Sequence, residues 1–195
     1  RAQQLHPNDF WLNIQLVHYY YWEVKPFQRD EVNRYAAAAN AVRKDSAAPY
    51  RYLATQLSDT GKIDEAIAAL QEAIRLKPDY WAAHHNLGVK FWSKGRWDEA
   101  IAALREACRL NPTWSLPHAM LSRILSKKGN TKAAEAEVLE ALRVGPKSIQ
   151  EHELIGIAWR ELKKLDEAIA AYRKANQLDP KNGHLHAQLG FLLSE

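Results

Sequence analysis

The chain has 195 residues, of which 27 are basic and 23 acidic, and its net charge at pH 7 is +4. Charges of both signs are interspersed and no apolar run approaches the ~18 residues of a membrane span, so neither a nucleic-acid nor a membrane partner is expected. The single cysteine, Cys108, excludes an internal disulfide and fits a reducing, cytoplasmic compartment.

Prolines recur at a period of 34 residues, at Pro78, Pro112, Pro146 and Pro180. A fixed period of this length is the signature of a repeat protein, in which each unit buries its apolar face against its neighbours. A first unit at about 10–46 contains a three-residue insertion near 24–27, and partial units occupy 1–9 and 183–195. The complete units, each set to end two residues after its proline, are 47–80, 81–114, 115–148 and 149–182.

Each complete unit predicts two helices. Packing residues at unit positions 4, 7, 8 and 11 follow the i, i+3, i+4, i+7 spacing of one helix face. Glycine at position 15, replaced by Lys163 in the fourth unit, predicts a left-handed turn after the first helix. Acidic residues open the second helix except in the third unit, where Lys132 takes their place and we expect Thr131 to cap the helix. The proline at position 32 ends the second helix of each unit, because proline cannot continue a helix.

This pattern resembles the tetratricopeptide repeat (TPR) family, most clearly in the strings DEAIAALQEAIRLKPDY and DEAIAAYRKANQLDP. The resemblance implies an all-α fold, namely a right-handed superhelical solenoid of antiparallel helix pairs that forms one domain over residues 1–195. It also implies a scaffold that binds a peptide or a partner protein, rather than an enzyme, and that needs no cofactor.

The resemblance further implies a concave groove lined by the first helix of each unit, at positions 2, 5, 9 and 12 with neighbours at 6 and 13. Part of this stripe is aromatic and part is cationic, which predicts an acidic or carboxylate-ended peptide, since arginine pairs bidentately with carboxylates. The alternative is a solvent-exposed scaffold surface without a ligand. Leu116 and Ala119 fill positions 2 and 5 of the third unit. The candidate groove residues are Tyr21, Trp22, Arg51, Thr55, His85, Asn86, Val89, Trp92, Arg123 and Lys127.

One TPR subclass binds the C-terminal carboxylate of chaperones through a clamp of basic and asparagine side chains. Arg51 and Asn86 match that pattern. The remaining clamp positions are occupied by Thr55, Leu116 and Met120, which do not match. A chaperone ligand is therefore disfavoured.

Eight histidines raise the question of a metal site. Those at position 4 fall on successive units, so they should lie roughly 10 Å apart, too far to converge on one zinc ion at ~2.0–2.1 Å. We expect them to pack and expect no metal site. The sequence contains no phosphate-binding glycine loop, nucleophile elbow or HExxH motif, so no catalytic residue is predicted. The position-4 histidines are His84, His118, His152 and His186.

Two alternative functions remain open. The strings RAQQLHPNDFWLN, KPFQRDEV and AHHNLG resemble the repeat tails of bacterial serine/threonine-protein kinases, which implies a regulatory or substrate-docking segment of a larger enzyme. The chain carries no kinase signature of its own. The other alternative is self-assembly into a homo-oligomer, because the array starts and stops in mid-repeat and the helix from Gly183 lacks a polar outer face.

Overall fold

The computed structural model describes residues 46–194 together with Asn13 and Leu16. The predictions for Tyr21, Trp22 and the unit at 10–46 lie outside this part of the chain. Within residues 46–194 all regular structure is α-helical, which confirms the all-α prediction. The helices are α1 Ala47–Asp59, α2 Ile63–Leu76, α3 Trp81–Ser93, α4 Trp97–Leu110, α5 Leu116–Lys127, α6 Thr131–Val144, α7 Ile149–Glu161, α8 Leu165–Leu178 and α9 Gly183–Ser194.

The chain divides into two compact units, each larger than one repeat, and we call residues 1–94 the first unit and residues 95–195 the second unit. In the first unit, α2 packs against α1 and α3 through a face of small and branched side chains. Ala66, Leu70 and Ala73 on that face are all 0% exposed. Their i, i+4, i+7 spacing explains why this stretch forms an amphipathic helix.

In the second unit, α5 packs against α4, α6 and α7, and α8 packs against α7 and α9. A continuous core joins α5 to α9 around Ile155, Trp159, Tyr172 and Leu185. Each large apolar side chain buried there contributes roughly 1.5–3 kcal/mol of transfer free energy. No helix in the part of the chain that the structure describes is long and apolar enough to cross a bilayer.

Position 15 adopts the left-handed conformation in all four complete units. Gly61, Gly95 and Gly129 have φ angles of 79°, 72° and 78°. Lys163, the non-glycine residue at this position, has the same conformation, with φ 60°. The turn geometry is thus kept where the residue that favours it is absent, at a cost of roughly 1–2 kcal/mol.

The prediction that Thr131 caps α6 is wrong. Thr131 is the first helical residue, and the preceding Asn130 is the cap, whose side chain accepts a hydrogen bond of 3.2 Å from the Ala133 amide. Asparagine is among the strongest N-cap residues, so it takes the position from the threonine that follows it.

A buried carboxylate connects the third and fourth repeats. Glu151 accepts hydrogen bonds from the Ser115 hydroxyl at 2.6 Å and from the Lys147 and Ser148 amides at 2.9 Å. With Ser148 it forms a capping box at the start of α7. Burial alone would raise the pKa of Glu151, but these hydrogen bonds together hold that pKa below its usual value.

Lysines after the first helix of a unit pair with acids of the preceding second helix. Lys94 Nζ lies 3.0 Å from Asp64, and Lys128 pairs in the same way with Asp98. The acids that open the second helices therefore also join one repeat to the next. We call these contacts the inter-repeat bridges.

Candidate functional site

Arg51 on α1 is the best-defined cation of the predicted stripe in the first unit. Its Nε donates to the hydroxyl of Tyr80 at 2.7 Å, and its guanidinium lies 4.5 Å from the ring centroid of Tyr52. No carboxylate among residues 46–194 forms an ion pair with Arg51. Arg51 is therefore held in place by aromatic side chains while its charge is left uncompensated there.

A cavity of about 420 Å³ opens beside Tyr80. Ala48, which occupies position 2 of the predicted stripe, belongs to its wall. The ammonium of Lys77 lies 5.7 Å from the centre of the Tyr80 ring, so a second cation borders the same space. The described residues that line the cavity are Ser46, Ala47, Ala48, Leu76, Lys77 and Tyr80, and none is acidic.

The remaining candidates in the first unit are half-buried or buried. Thr55 donates its hydroxyl hydrogen to the backbone carbonyl of Arg51 at 3.2 Å. His85 is 8% exposed and contacts Asn86 through Nδ1 at 3.3 Å. Burial lowers the pKa of His85 to about 4, so this side chain is neutral at pH 7. Val89 and Trp92 are half-buried.

In the second unit, Arg123 already has a carboxylate partner. Its Nη2 lies 3.0 Å from Glu161 and its Nε lies 3.3 Å from both oxygens of the same carboxylate. The two side chains are 16% and 20% exposed. A ligand carboxylate would have to displace Glu161, so Arg123 differs from Arg51 as a candidate anchor. Lys127 is exposed.

The second unit also buries part of the predicted stripe. Leu116 is 6% exposed and Ala119 is 0% exposed, and Ala119 belongs to the core around Ile155. The physical reason is that α5 packs against three helices, so its stripe does not remain at the surface.

Three of the four position-4 histidines contact other groups of the protein. His84 Nε2 lies 2.8 Å from the Pro78 carbonyl oxygen, and His186 Nε2 lies 2.9 Å from that of Pro180. His118 instead contacts Glu137 at 2.8 Å. Among the described residues, no three histidine, cysteine or acidic side chains converge in a way that could hold a metal ion.

Sequence reasoning missed a larger cavity of about 600 Å³ in the second unit, lined by residues of α6, α7 and α8. Its walls include Leu139, which is 52% exposed. The signal that could have revealed it is an apolar residue at a position that is polar in the other complete units.

Comparison with protein families gives two matches, which together span about half of the chain. A family model described as a tetratricopeptide repeat matches residues 53–113, and a second, described as a TPR repeat, matches residues 156–195. A search of curated proteins gives no match.

Several solved structures share the fold at low sequence identity. A thermophilic TPR protein of Thermus thermophilus is 20% identical with a TM-score of 0.76, over 97% of this chain and 99% of that one. PilW, a type IV pilus biogenesis factor, is 18% identical with a TM-score of 0.73, over 96% and 86%. YrrB, described as a TPR protein with an unusual peptide-binding site, is 21% identical with a TM-score of 0.57, over 82% of each chain.

Proposed function

Since this chain belongs to the tetratricopeptide repeat family, we propose that it is a protein-interaction scaffold whose first unit binds an acidic or carboxylate-ended peptide at Arg51 and Lys77. The family match supports a binding role in general. The observation that carries the finer proposal is the Arg51 guanidinium, which is fixed by Tyr80 and Tyr52 without a carboxylate partner among residues 46–194.

Pre-organisation makes this cation a good anchor. An arginine that is already held by a hydrogen bond and a ring loses little side-chain freedom when a ligand arrives, so more of the interaction free energy remains for binding. Arginine also offers a planar fork that matches a carboxylate. The adjoining cavity of about 420 Å³ gives room for the terminal residue of a peptide.

The charge around the cavity sets the expected ligand. Lys77 and Arg51 both contact Tyr80, and the described lining contains no acidic residue. An anionic peptide end is attracted there, whereas a basic one is repelled. Arg123 is a weaker candidate because Glu161 already occupies its guanidinium.

The proposal is non-enzymatic and needs no cofactor. We place the activity in the cytoplasm, because the single cysteine excludes an internal disulfide. The kinase-tail and self-assembly alternatives remain predictions, and no contact in the described residues favours either over peptide binding.

A peptide array tests the proposal. Peptides of varied sequence are displayed with free C-terminal carboxylates and again as C-terminal amides, and the strongest binder is labelled for fluorescence anisotropy. We expect amidation and the substitution Arg51→Gln each to weaken binding by about tenfold or more, since a hydrogen bond to a charged group contributes roughly 1.5–3 kcal/mol.

Lys62→Gln is the matched control, because it also removes one positive charge, but Lys62 neither lines the cavity nor, unlike Arg51 and Lys77, contacts Tyr80. Circular dichroism should show the same helicity for both variants. If Arg51→Gln and Lys62→Gln bind the peptide equally well, long-range charge explains the binding and the assignment of the site is wrong.

A further inference from the structure

A cavity of about 600 Å³ lies between α6 and α8 in the second unit. Leu139 and Leu142 of α6 line it together with Trp159 of α7, and the two leucines are 52% and 41% exposed. Large apolar side chains that line a concave surface gain free energy when a ligand covers them. The cavity therefore fits a ligand with an apolar part.

The other repeats of the chain serve as an internal comparison. Leu139 occupies position 25, which is polar in the other complete units, and Lys174 occupies position 26, which is otherwise glutamate. In those units the glutamate accepts hydrogen bonds from an arginine three residues later, as Glu106 does from Arg109 at 2.6 Å. Glu135 occupies position 21, which is otherwise isoleucine. All three departures line the cavity. Their counterparts are Gln71, Arg105 and Arg173 for position 25, Glu72, Glu106 and Glu140 for position 26, and Ile67, Ile101 and Ile169 for position 21.

Two helix faces border the cavity, and on each face the lining residues form a stripe about two turns long. Glu135, Leu139 and Leu142 lie at i, i+4 and i+7 on α6, so they share one face. The α8 residues that line the cavity follow the spacing i, i+3, i+4, i+7, which spans about 10 Å. They are Glu167, Ala170, Ala171 and Lys174. Between the charged residues this face carries only small side chains, the exposed Ala170 and the buried Ala171, so another helix can approach closely.

The charges divide the cavity into an acidic and a basic end. Lys164 donates a hydrogen bond to Glu135, and this bond, followed by the charges of Glu135 and then Glu167, raises the pKa of Lys164. Two carboxylates thus face one ammonium at this end. At the other end, burial lowers the pKa of His152 and the charge of Lys174 adds to that effect. Lys174 has no carboxylate partner in the described part of the chain.

We infer that this cavity binds an amphipathic helix of a partner protein that runs antiparallel to α8. An acidic residue of that helix pairs with Lys174, two large apolar residues at i+3 and i+4 enter between α6 and α8, and a basic residue at i+7 meets Glu167. The spacing follows from the α8 stripe, whose charged residues are themselves seven positions apart. Helix-in-groove recognition uses anchors at these intervals.

An α8-to-α8 contact with a second copy of this chain fits the charges but not the volume. An α8 helix from another molecule would bring Glu167 to Lys174, yet its stripe presents only Ala170 and Ala171 between them. Two methyl groups leave most of a cavity of about 600 Å³ empty. A partner helix with larger side chains is therefore the better occupant.

The test uses a labelled helical peptide of about 16 residues with the central sequence Glu-Ala-Ala-Leu-Leu-Ala-Ala-Lys, and a second probe in which Glu and Lys are exchanged. Anisotropy should show binding of the first probe and about tenfold weaker binding of the second. Leu139→Arg restores the residue type found in other repeats and should weaken binding of the first probe by about tenfold or more. The double variant Lys174→Glu with Glu167→Lys should reverse the preference between the two probes.

Lys181→Glu is a control that reverses an exposed charge outside the cavity, and Arg51→Gln tests independence from the first site. Neither should alter binding of the helical probe, so failure of one site is distinguishable from failure of the other. Equal affinities for the two probes, or unchanged binding by Leu139→Arg, would overturn the inference. Light scattering gives a further outcome that would overturn the inference. If the molar mass rises to that of a dimer at high protein concentration, and Leu139→Arg remains monomeric, then a second copy occupies the cavity.

Discussion

Gly156 on α7 is a position where alanine should destabilise the protein, although alanine is the better helix former. A Cβ at this position would lie 2.8 Å from the Cδ2 and Cε2 atoms of Tyr172 and 3.2 Å from its Cζ. Tyr172 is 1% exposed and surrounded by the core of the second unit, so its ring has no open space into which it can move.

The magnitude follows from two opposing terms. Alanine stabilises a helix interior by about 1 kcal/mol relative to glycine. Overpacking a dense core by one methyl group costs about 1–3 kcal/mol. Gly190 occupies the equivalent position in α9, where a methyl group added to the backbone would meet no atom within 4 Å, so Gly190→Ala carries the favourable term alone. The difference between the two variants isolates the overpacking cost.

Urea unfolding followed by circular dichroism at 222 nm measures this difference. We expect Gly156→Ala to be less stable than Gly190→Ala by about 1–3 kcal/mol. Adding Tyr172→Leu to Gly156→Ala should recover part of the loss, because leucine stands at this position in the first two complete units. Equal stability of the two alanine variants, or no recovery by the leucine, would refute the packing argument.

Three further predictions concern other positions. Lys163→Gly should raise the free energy of unfolding by about 1 kcal/mol by relieving a positive φ, whereas Gly129→Ala should lower it, and urea titration of both variants checks the sign. His85 has a folded pKa of about 4, below its unfolded value of about 6.5, so the unfolded state binds more protons between these two pH values. The free energy of unfolding should therefore fall by roughly 2–4 kcal/mol as the pH drops through that window. The variant His85→Asn should lose most of this pH dependence. Burial, aided by the charges of Glu137 and Glu140, raises the pKa of Cys108 to about 12. Iodoacetamide at pH 8 should therefore modify this thiol slowly in the folded protein and rapidly in urea. Equal rates of modification would contradict this prediction.

Local features of the fold were predictable because they repeat and depend on short-range geometry. The glycines at position 15 predict left-handed turns, and the structure has them. Lys163 has the same left-handed conformation although a lysine disfavours it. The cap of α6 was misassigned by one residue, since Asn130 and Thr131 are adjacent and both favour an N-cap.

The candidate sites were less predictable because they depend on side chains far apart in the sequence. The partner of Arg123 is Glu161, which helix phase alone does not reveal. The burial of Leu116 and Ala119 depends on how α5 packs against neighbouring helices, not on the face that the period assigns to them. The stripe around Arg51 was proposed from its position, but its aromatic supports became evident only from the structure.

The inter-repeat bridges make the length of the cooperative segment depend on ionic strength. The pairs Lys94–Asp64 and Lys128–Asp98 are largely exposed, so each contributes about 0.2–1 kcal/mol and is screened in concentrated salt, where the Debye length is about 3 Å at 1 M. The apolar contacts within each helix pair do not depend on these charges. Salt therefore weakens the coupling between neighbouring repeats by no more than this amount. The apolar core that joins α5 to α9 is not screened, so the cooperative segment should shorten only slightly as salt rises.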